Sequence, residues 1–258
     1  MSCQVVIIPT LKDNYSYVVR SRDGKHVAVV DPGEAAPLLK HFEETGTRPD
    51  EIWLTHKHTD HIGGATDLAN KYDVVIRGPD ELPRFQARTE TIQDGGKFKL
   101  GASEVTVRKI PGHTAGHLVY FTEHVVFSGD VLFLGGCGRI FEGSPREMFL
   151  GIDTHLRGLP ANTLLFCGHE YAERNMRFAL TLEPGNPAIQ KQFTRVQSCR
   201  ALGRPTVPGE MGIEQAVNPF LRVRSSSLRR ALEAKVGPLP NDPAEVFTIL
   251  RTLRNEFR

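Results

Sequence analysis

The chain has 258 residues, 40% of them hydrophobic and 24% charged, and a formal net charge of +2, so it is long enough to bury one or two cores without advertising nucleic acid as a partner. No apolar run approaches the roughly 18 residues of a bilayer-spanning helix. The start, MSCQVVIIPT, lacks a basic segment and a small-residue cleavage site, and Cys3, Cys137, Cys167 and Cys199 show no CxxC spacing, which predicts a cytoplasmic protein with reduced, mostly buried thiols.

Along residues 1–173, short β-rich runs (CQVVII, SYVVR, HVAVV, DVVIR, EVTVRKI, HLVYF, HVVFS and TLLFC) alternate with helical patterns such as EAAPLLKHFEETG and ATDLANKY. This mixture predicts an α/β or α+β unit whose sheets are covered by helices. Several runs, HVAVVDPG and HVVFSGD among them, end in an acidic residue at a Gly/Pro turn, and strand ends are where site residues gather. From Ala172 the texture becomes helical, through AERNMRFALTLEP, AIQKQFTRVQSCRAL, SSLRRALEAKVG and AEVFTILRTLRNEFR. The last of these has a start signal, Asp242 as cap, Pro243 at the first helical position and Glu245 three residues after the cap. Residues 1–173 carry 18 Lys+Arg against 23 Asp+Glu, and residues 174–258 carry 14 against 7. The units are therefore expected to have different tasks, with an anion-attracting surface on the second.

The stretch THKHTDH, residues 55 to 61, follows the apolar run EIWL. Its His56, His58, Asp60 and His61 are neutral-imidazole and carboxylate ligands that suit zinc, iron or manganese. Four ligands so close in sequence cannot easily close around one ion, so a second ion is expected if more ligands arrive from elsewhere. His113 in KIPGHTAGH, Asp130 at the end of HVVFSGD and His169 after TLLFCG stand at the ends of other apolar runs and supply them. His117 reads as a packing residue or a support for the ligands, and His26, His41, His124 and His155 as surface residues.

THKHTDH is similar to the THxHxDH signature of the metallo-β-lactamase superfamily, and its order relative to PGHTAGH, SGD and CGHE matches that superfamily along residues 5 to 173. The resemblance implies an αββα sandwich with a C-terminal, mainly helical domain. It also implies a dinuclear site, with His56, His58 and His113 on one metal, Asp60, His61 and His169 on the other, and Asp130 bridging. PTLKDNYSYVV, GGCGRIFEG, CGHEY, EPGNP and NPFLRVR, followed by a basic C-terminal helix, resemble the glyoxalase II family, the hydroxyacylglutathione hydrolases. That likeness covers essentially the whole chain and divides it into a catalytic domain, 1–173, and a helical glutathione-binding domain, 174–258.

The resemblance implies hydrolysis of S-D-lactoylglutathione to glutathione and D-lactate, the second step of methylglyoxal detoxification. Two metals about 3.5–4 Å apart would make a bridging water acidic enough to attack the thioester, with Asp60 and Asp130 as catalytic carboxylates. Arg139 would stand near the thioester, Tyr171 would donate to the glutathione backbone, and Arg251 and Arg254, three apart on one helix face, would clamp the terminal carboxylate as solvent-exposed cations. Phe141 stands where the family commonly has a tyrosine, and Arg254 where a lysine is frequent. The resemblance implies two divalent ions, zinc foremost and iron or manganese after it; a monomer is expected, and the net charge of +2 argues against a nucleic-acid or membrane partner. The competing readings are a mononuclear iron enzyme like the persulfide dioxygenases and a metal-dependent nuclease or RNA-binding protein.

Overall fold

The computed structural model describes residues 2–257. In chain order its elements are β1 (Gln4–Thr10), β2 (Asn14–Arg20), β3 (Val27–Val30), α1 (Ala36–Thr45), β4 (Glu51–Trp53), α2 (Thr59–Ile62), α3 (Ala65–Tyr72), β5 (Val75–Gly78), β6 (Thr89–Thr91), β7 (Lys97–Leu100), β8 (Ser103–Lys109), β9 (Leu118–Thr122), β10 (Val125–Gly129), β11 (Leu132–Phe133), β12 (Gly136–Cys137), α4 (Pro145–His155), β13 (Leu164–Cys167), α5 (Ala172–Leu182), α6 (Pro187–Ala201), β14 (Gly209–Glu210), α7 (Met211–Val217), α8 (Ser226–Val236) and α9 (Pro243–Glu256), with a 3-10 turn at Pro219–Leu221.

Two six-stranded sheets, ordered β1-β2-β3-β4-β5-β6 and β14-β13-β10-β9-β8-β7, face each other. Alternation along the strands explains the layering. On β2 and β3, Tyr17, Val19, Ala28 and Val30 join the core shared with the second sheet, whereas Val18, Val27 and Val29 turn to the other face, where Leu38 and Phe42 of α1 and Leu68 of α3 cover them. Trp53 of β4 stacks on Tyr120 of β9 across the sandwich, with ring centroids 5.6 Å apart. Outside the second sheet, α4 opens with a reciprocal Ser144–Glu147 capping box, and its Phe149 packs on Phe247 of α9. The start signal of α9 operates as expected, for the Asp242 side chain accepts from the Ala244 N–H and Pro243 follows the cap.

β3 and β4 run parallel to each other, as do β10 and β13. Their carboxyl ends lie at one edge of the sandwich, where backbone hydrogen bonds link the sheets: Leu118 N–H donates to Thr55 O at 2.8 Å and Tyr15 N–H to Gly168 O at 2.9 Å. All four cysteines are free thiols. Among the described residues, no helix is long and apolar enough to cross a membrane. The helical region also gives one strand to the second sheet, since β14 pairs antiparallel with β13.

Candidate metal centre

Each candidate ligand leaves a secondary-structure element at that edge. Thr55 and His56 follow β4, His58 precedes α2, and Asp60 and His61 lie in its single turn. His113 follows β8, Asp130 follows β10, and His169 follows β13. His56 Nε2 and His113 Nε2 each lie 3.0 Å from His58 Nδ1. A second triplet forms from His61 Nε2, His169 Nε2 and Asp60 Oδ2, at 3.2, 3.3 and 3.6 Å from one another. Asp130 stands between the two: Oδ2 is 3.3 Å from both His113 Nε2 and His169 Nε2, and Oδ1 is 3.5 Å from His61 Nε2. Gly168 is required by this crowding, because a Cβ there would collide with Asp130 Oδ1.

The far side of the rings decides what the near side offers. His61 Nδ1 lies 3.0 Å from Asp31 Oδ2, His169 Nδ1 2.9 Å from Asp13 Oδ1, and His113 Nδ1 2.9 Å from the Arg139 carbonyl. The Thr55 hydroxyl donates to Asp31 Oδ2 and so accepts from His56 Nδ1 at 2.9 Å. In each of these four rings an acceptor holds the Nδ1 proton and aims Nε2 at the centre, where it is bare in His56 and His113 and carries a proton in His169 until an ion displaces it. Asp60 is steadied in turn by the Asn14 amide, 2.8 Å from Oδ2.

With His58 Nδ1 also unprotonated, the three nitrogens of the first triplet would repel at these distances unless a cation lay among them. Tetrahedral coordination with bonds of about 2.0–2.1 Å separates two nitrogens by roughly 3.3 Å, close to the spacing found. Asp130 Oδ1 is buried without a hydrogen-bond partner, which a metal ligand would be before its ion binds. The donor set therefore fits two divalent ions. The electrostatics agree. Burial drives His56 well below its ordinary pKa and lowers His113, so both rings are neutral. Burial would also lower His169, but Asp130, Asp60 and Asp13 outweigh it and raise that ring to about 11, so a metal there must displace a proton. Asp60 is held well below its ordinary range, first by its hydrogen bond with His169, and Asp130 is held there against burial by His61 and His169.

Around the ligands, His117 stacks on His56 at 4.6 Å, and its Nε2 accepts from the Asp130 N–H. His26 is exposed, and His41, His124 and His155 are partly so. A cleft of ≈ 430 Å³ opens from His113 and Asp130 and is lined by Arg139, Phe141, Tyr171, Arg174, Arg251 and Arg254, among others. Tyr171 lies parallel to His169 at 4.8 Å. Phe141, 57% exposed, meets His113 edge-on at 5.3 Å under the Arg139 guanidinium. The expectation of solvent-exposed arginines on α9 is corrected: Arg251 and Arg254 are 7% and 8% exposed. Arg251 Nη1 donates to the Cys137 carbonyl at 2.7 Å and Arg254 Nη2 to Asn175 Oδ1 at 3.0 Å, and Phe220, Phe178 and Phe257 lie beside the two guanidiniums. The Cys137 carbonyl, Asn175 of α5 and these rings take the two guanidiniums out of water.

Sequence reasoning assigned no role to Asp13, Asn14, Asp31 or Thr55. Asp31 had a signal, as the acid ending HVAVVDPG, whereas Asp13 had none beyond its place in PTLKDNYSYVV.

Comparison with known proteins agrees with this geometry. Residues 9–169 match the metallo-beta-lactamase superfamily, and residues 170–257 match the hydroxyacylglutathione hydrolase C-terminus. The chain is 36% identical over 260 residues to a hydroxyacylglutathione hydrolase of Ruegeria pomeroyi, with all of both chains covered. It is 41% identical to that of Cupriavidus metallidurans, covering 97% of this chain and 98% of the relative. Among solved structures, ETHE1 from Myxococcus xanthus superposes with a TM-score of 0.65 at 20% identity over the whole of both chains. TTHA1623 in a di-iron-bound form superposes with a TM-score of 0.59 at 24% identity, covering 84% of this chain and 99% of that one. These two likenesses concern the fold. With the superfamily match spanning most of its length and the two hydrolases matched from end to end, the chain belongs to the hydroxyacylglutathione hydrolase family within the metallo-beta-lactamase superfamily.

Proposed function

We propose that the chain is a thioester hydrolase that converts S-D-lactoylglutathione and related 2-hydroxyacylglutathiones to glutathione and the free 2-hydroxy acid, the second step of methylglyoxal detoxification. The observation that carries this reading is the pair of ligand triplets joined by Asp130, opening directly into a cleft rich in arginine. His56, His58 and His113 would hold one divalent ion and Asp60, His61 and His169 the other, with Asp130 placed to serve both. Zinc is the assignment we make among the divalent ions that five imidazoles and two carboxylates accept. When bound, two such ions make a water acidic enough to attack near neutral pH and polarise the thioester carbonyl.

The chain's own residues do the rest. Asp60, fixed by Asn14, has a carboxylate placed to accept a hydrogen bond from the attacking water and orient it. Tyr171 is half-buried, and burial raises its pKa, so its hydroxyl keeps its proton and can donate to the peptide backbone of the thiol. Arg139 and Phe141 form the rim beside the thioester. Arg251 and Arg254 take the terminal carboxylate. Burial, then Arg251 and Arg174, lower Arg254 to about 10, and such crowded guanidiniums are relieved by an anion. Thiolate leaves with little acid assistance, so no general acid is required. In this reading residues 1–173 perform the chemistry and residues 174–258 bind the thiol, in a cytoplasmic monomer.

A mononuclear iron dioxygenase would leave the Asp60–His61–His169 triplet without a task, so hydrolysis is the better account. The test is the loss of thioester absorbance with S-D-lactoylglutathione, compared with a short acyl thioester that lacks the γ-glutamyl-cysteinyl-glycine portion. A kcat/KM at least a hundredfold higher for the glutathione thioester is expected. Equal rates would remove the glutathione assignment.

A further inference from the structure

Between Asp130 and Arg139 the chain makes the β11–β12 hairpin, whose strands are two residues long. Its register pairs Leu132 with Cys137 and Phe133 with Gly136. So short a ribbon has little stability of its own. Its two ends nevertheless serve the metal centre. Asp130 enters it, and Arg139, whose carbonyl holds the Nδ1 proton of His113, leaves it. The ends are pressed together as well: Gly138 N–H donates to the Val131 carbonyl at 3.1 Å, and a Cβ at Gly138 would collide with the Asp130 carbonyl.

What holds the hairpin is a set of side chains from the helical region. Asn218 Nδ2 donates to the Phe133 carbonyl at 3.0 Å and the Gly136 carbonyl at 3.1 Å. Glu214 Oε2 accepts from the Gly135 N–H at 2.7 Å, and Asn175 Nδ2 donates to the Leu134 carbonyl at 3.0 Å. Arg251 Nη1 reaches the Cys137 and Gly138 carbonyls at 2.7 and 3.4 Å. Asn218 and Glu214 are wholly buried, and Asn218 Nδ2 also lies 3.1 Å from Glu214 Oε2. Neither residue lines the substrate cleft. Buried backbone groups must be satisfied, and side chains more than 40 residues downstream satisfy these.

We propose that Asn218 is a positioning residue for the metal centre, acting through the hairpin on Asp130 and on the ring orientation of His113. The inference rests on the reading of His113 and Asp130 as metal ligands. It gives the helical region a second task, because the segment that binds the thiol also sets the geometry of the ligands. Loosening the hairpin on the side away from the metals would then weaken metal binding in a chain that is otherwise folded.

The test is zinc affinity, measured by competition with a chromophoric chelator on the full chain, with the thermal midpoint of the metal-free protein recorded in parallel. Asn218→Asp keeps the shape and loses both amide donors. Glu214→Gln keeps an oxygen for the Gly135 N–H and serves as the conservative partner. Loss of support behind metal ligands costs about tenfold to a hundredfold in affinity, so Asn218→Asp is expected to bind zinc at least tenfold more weakly, with Glu214→Gln within threefold of the native chain. A lowered thermal midpoint with unchanged zinc affinity would overturn the proposal and leave Asn218 a purely structural residue. If Asn218→Asp gives no folded chain, Asn218→Ser, which retains one donor, is read by the same titration, and unchanged affinity in it overturns the proposal equally. A native chain that binds no zinc would overturn the reading of the site and this inference with it, whereas two tightly bound ions and an indifferent Asn218→Asp would overturn the inference alone.

Discussion

Asp31→Asn changes one atom and should weaken the metal centre by a route the hydrogen bonds specify. Asp31 Oδ1 accepts from the Thr55 N–H at 2.8 Å, while Oδ2 accepts from the Thr55 hydroxyl at 2.7 Å and from His61 Nδ1 at 3.0 Å. An asparagine can keep its oxygen toward the Thr55 N–H only by turning its amide group toward His61. The amide donates and cannot accept, so His61 must offer a lone pair at Nδ1 and carry its proton on Nε2, the atom that faces the second triplet. The hydroxyl relay from His56 through Thr55 is reversed by the same change. Supporting groups of this kind are worth about tenfold to a hundredfold in metal affinity, or roughly 1.4–2.7 kcal/mol. The assay is equilibrium dialysis against zinc with metal content determined per chain. The weaker of two sites should fall below full occupancy where the native chain is saturated. Two fully occupied sites in Asp31→Asn, with native dissociation constants, would refute the tautomer argument.

Other expectations follow from single residues. Asp130→Asn keeps the shape but removes the charge shared by both ions, so metal content and turnover should fall together; full activity at undiminished occupancy would reject the bridge. Arg251→Ala should raise KM for the glutathione thioester about tenfold and also lower the thermal midpoint by several degrees, because a buried charged hydrogen bond contributes about 1.5–3 kcal/mol; equal losses toward a short thioester without the carboxylate would make Arg251 a fold residue only. Phe141→Tyr offers one hydrogen bond, about 0.5–1.5 kcal/mol, and should lower KM by up to about tenfold, whereas an unchanged KM would place the ring away from the thiol. Burial pushes Glu214 from its ordinary 4.5 up to about 7. A carboxyl raised in the folded state stabilises fully below its unfolded pKa and loses that contribution as pH climbs from about 4.5 through about 7, so urea unfolding should show a decline of roughly 3 kcal/mol over that window. Glu214→Gln should flatten this slope, and an equal slope in both proteins would contradict it.

Much of the centre was legible because the ligands end buried runs. Leu54, Gly129 and Cys167 each close an apolar stretch within two residues of a histidine or aspartate, and the α9 start was legible because Asp242-Pro243 is local chemistry. What the sequence hid is long-range. Asp13 orients His169 from 156 positions away, and no local pattern marks it. Asn218 looks like an ordinary residue before a proline until its amide is seen between two hairpin carbonyls. Arg251 and Arg254 were read as exposed because charge normally means water, and only the hairpin carbonyls and Asn175 make their burial tolerable. β14 escaped notice because two residues carry no alternation.

The central claim is that two metal sites joined by Asp130 serve thioester hydrolysis, and titrating the metal-free chain with zinc while following S-D-lactoylglutathione tests it most directly. The account predicts hydrolysis that rises until about two equivalents are bound and no oxygen uptake at any point. Activity that saturates at one bound iron, with oxygen consumed in proportion to substrate, would contradict it.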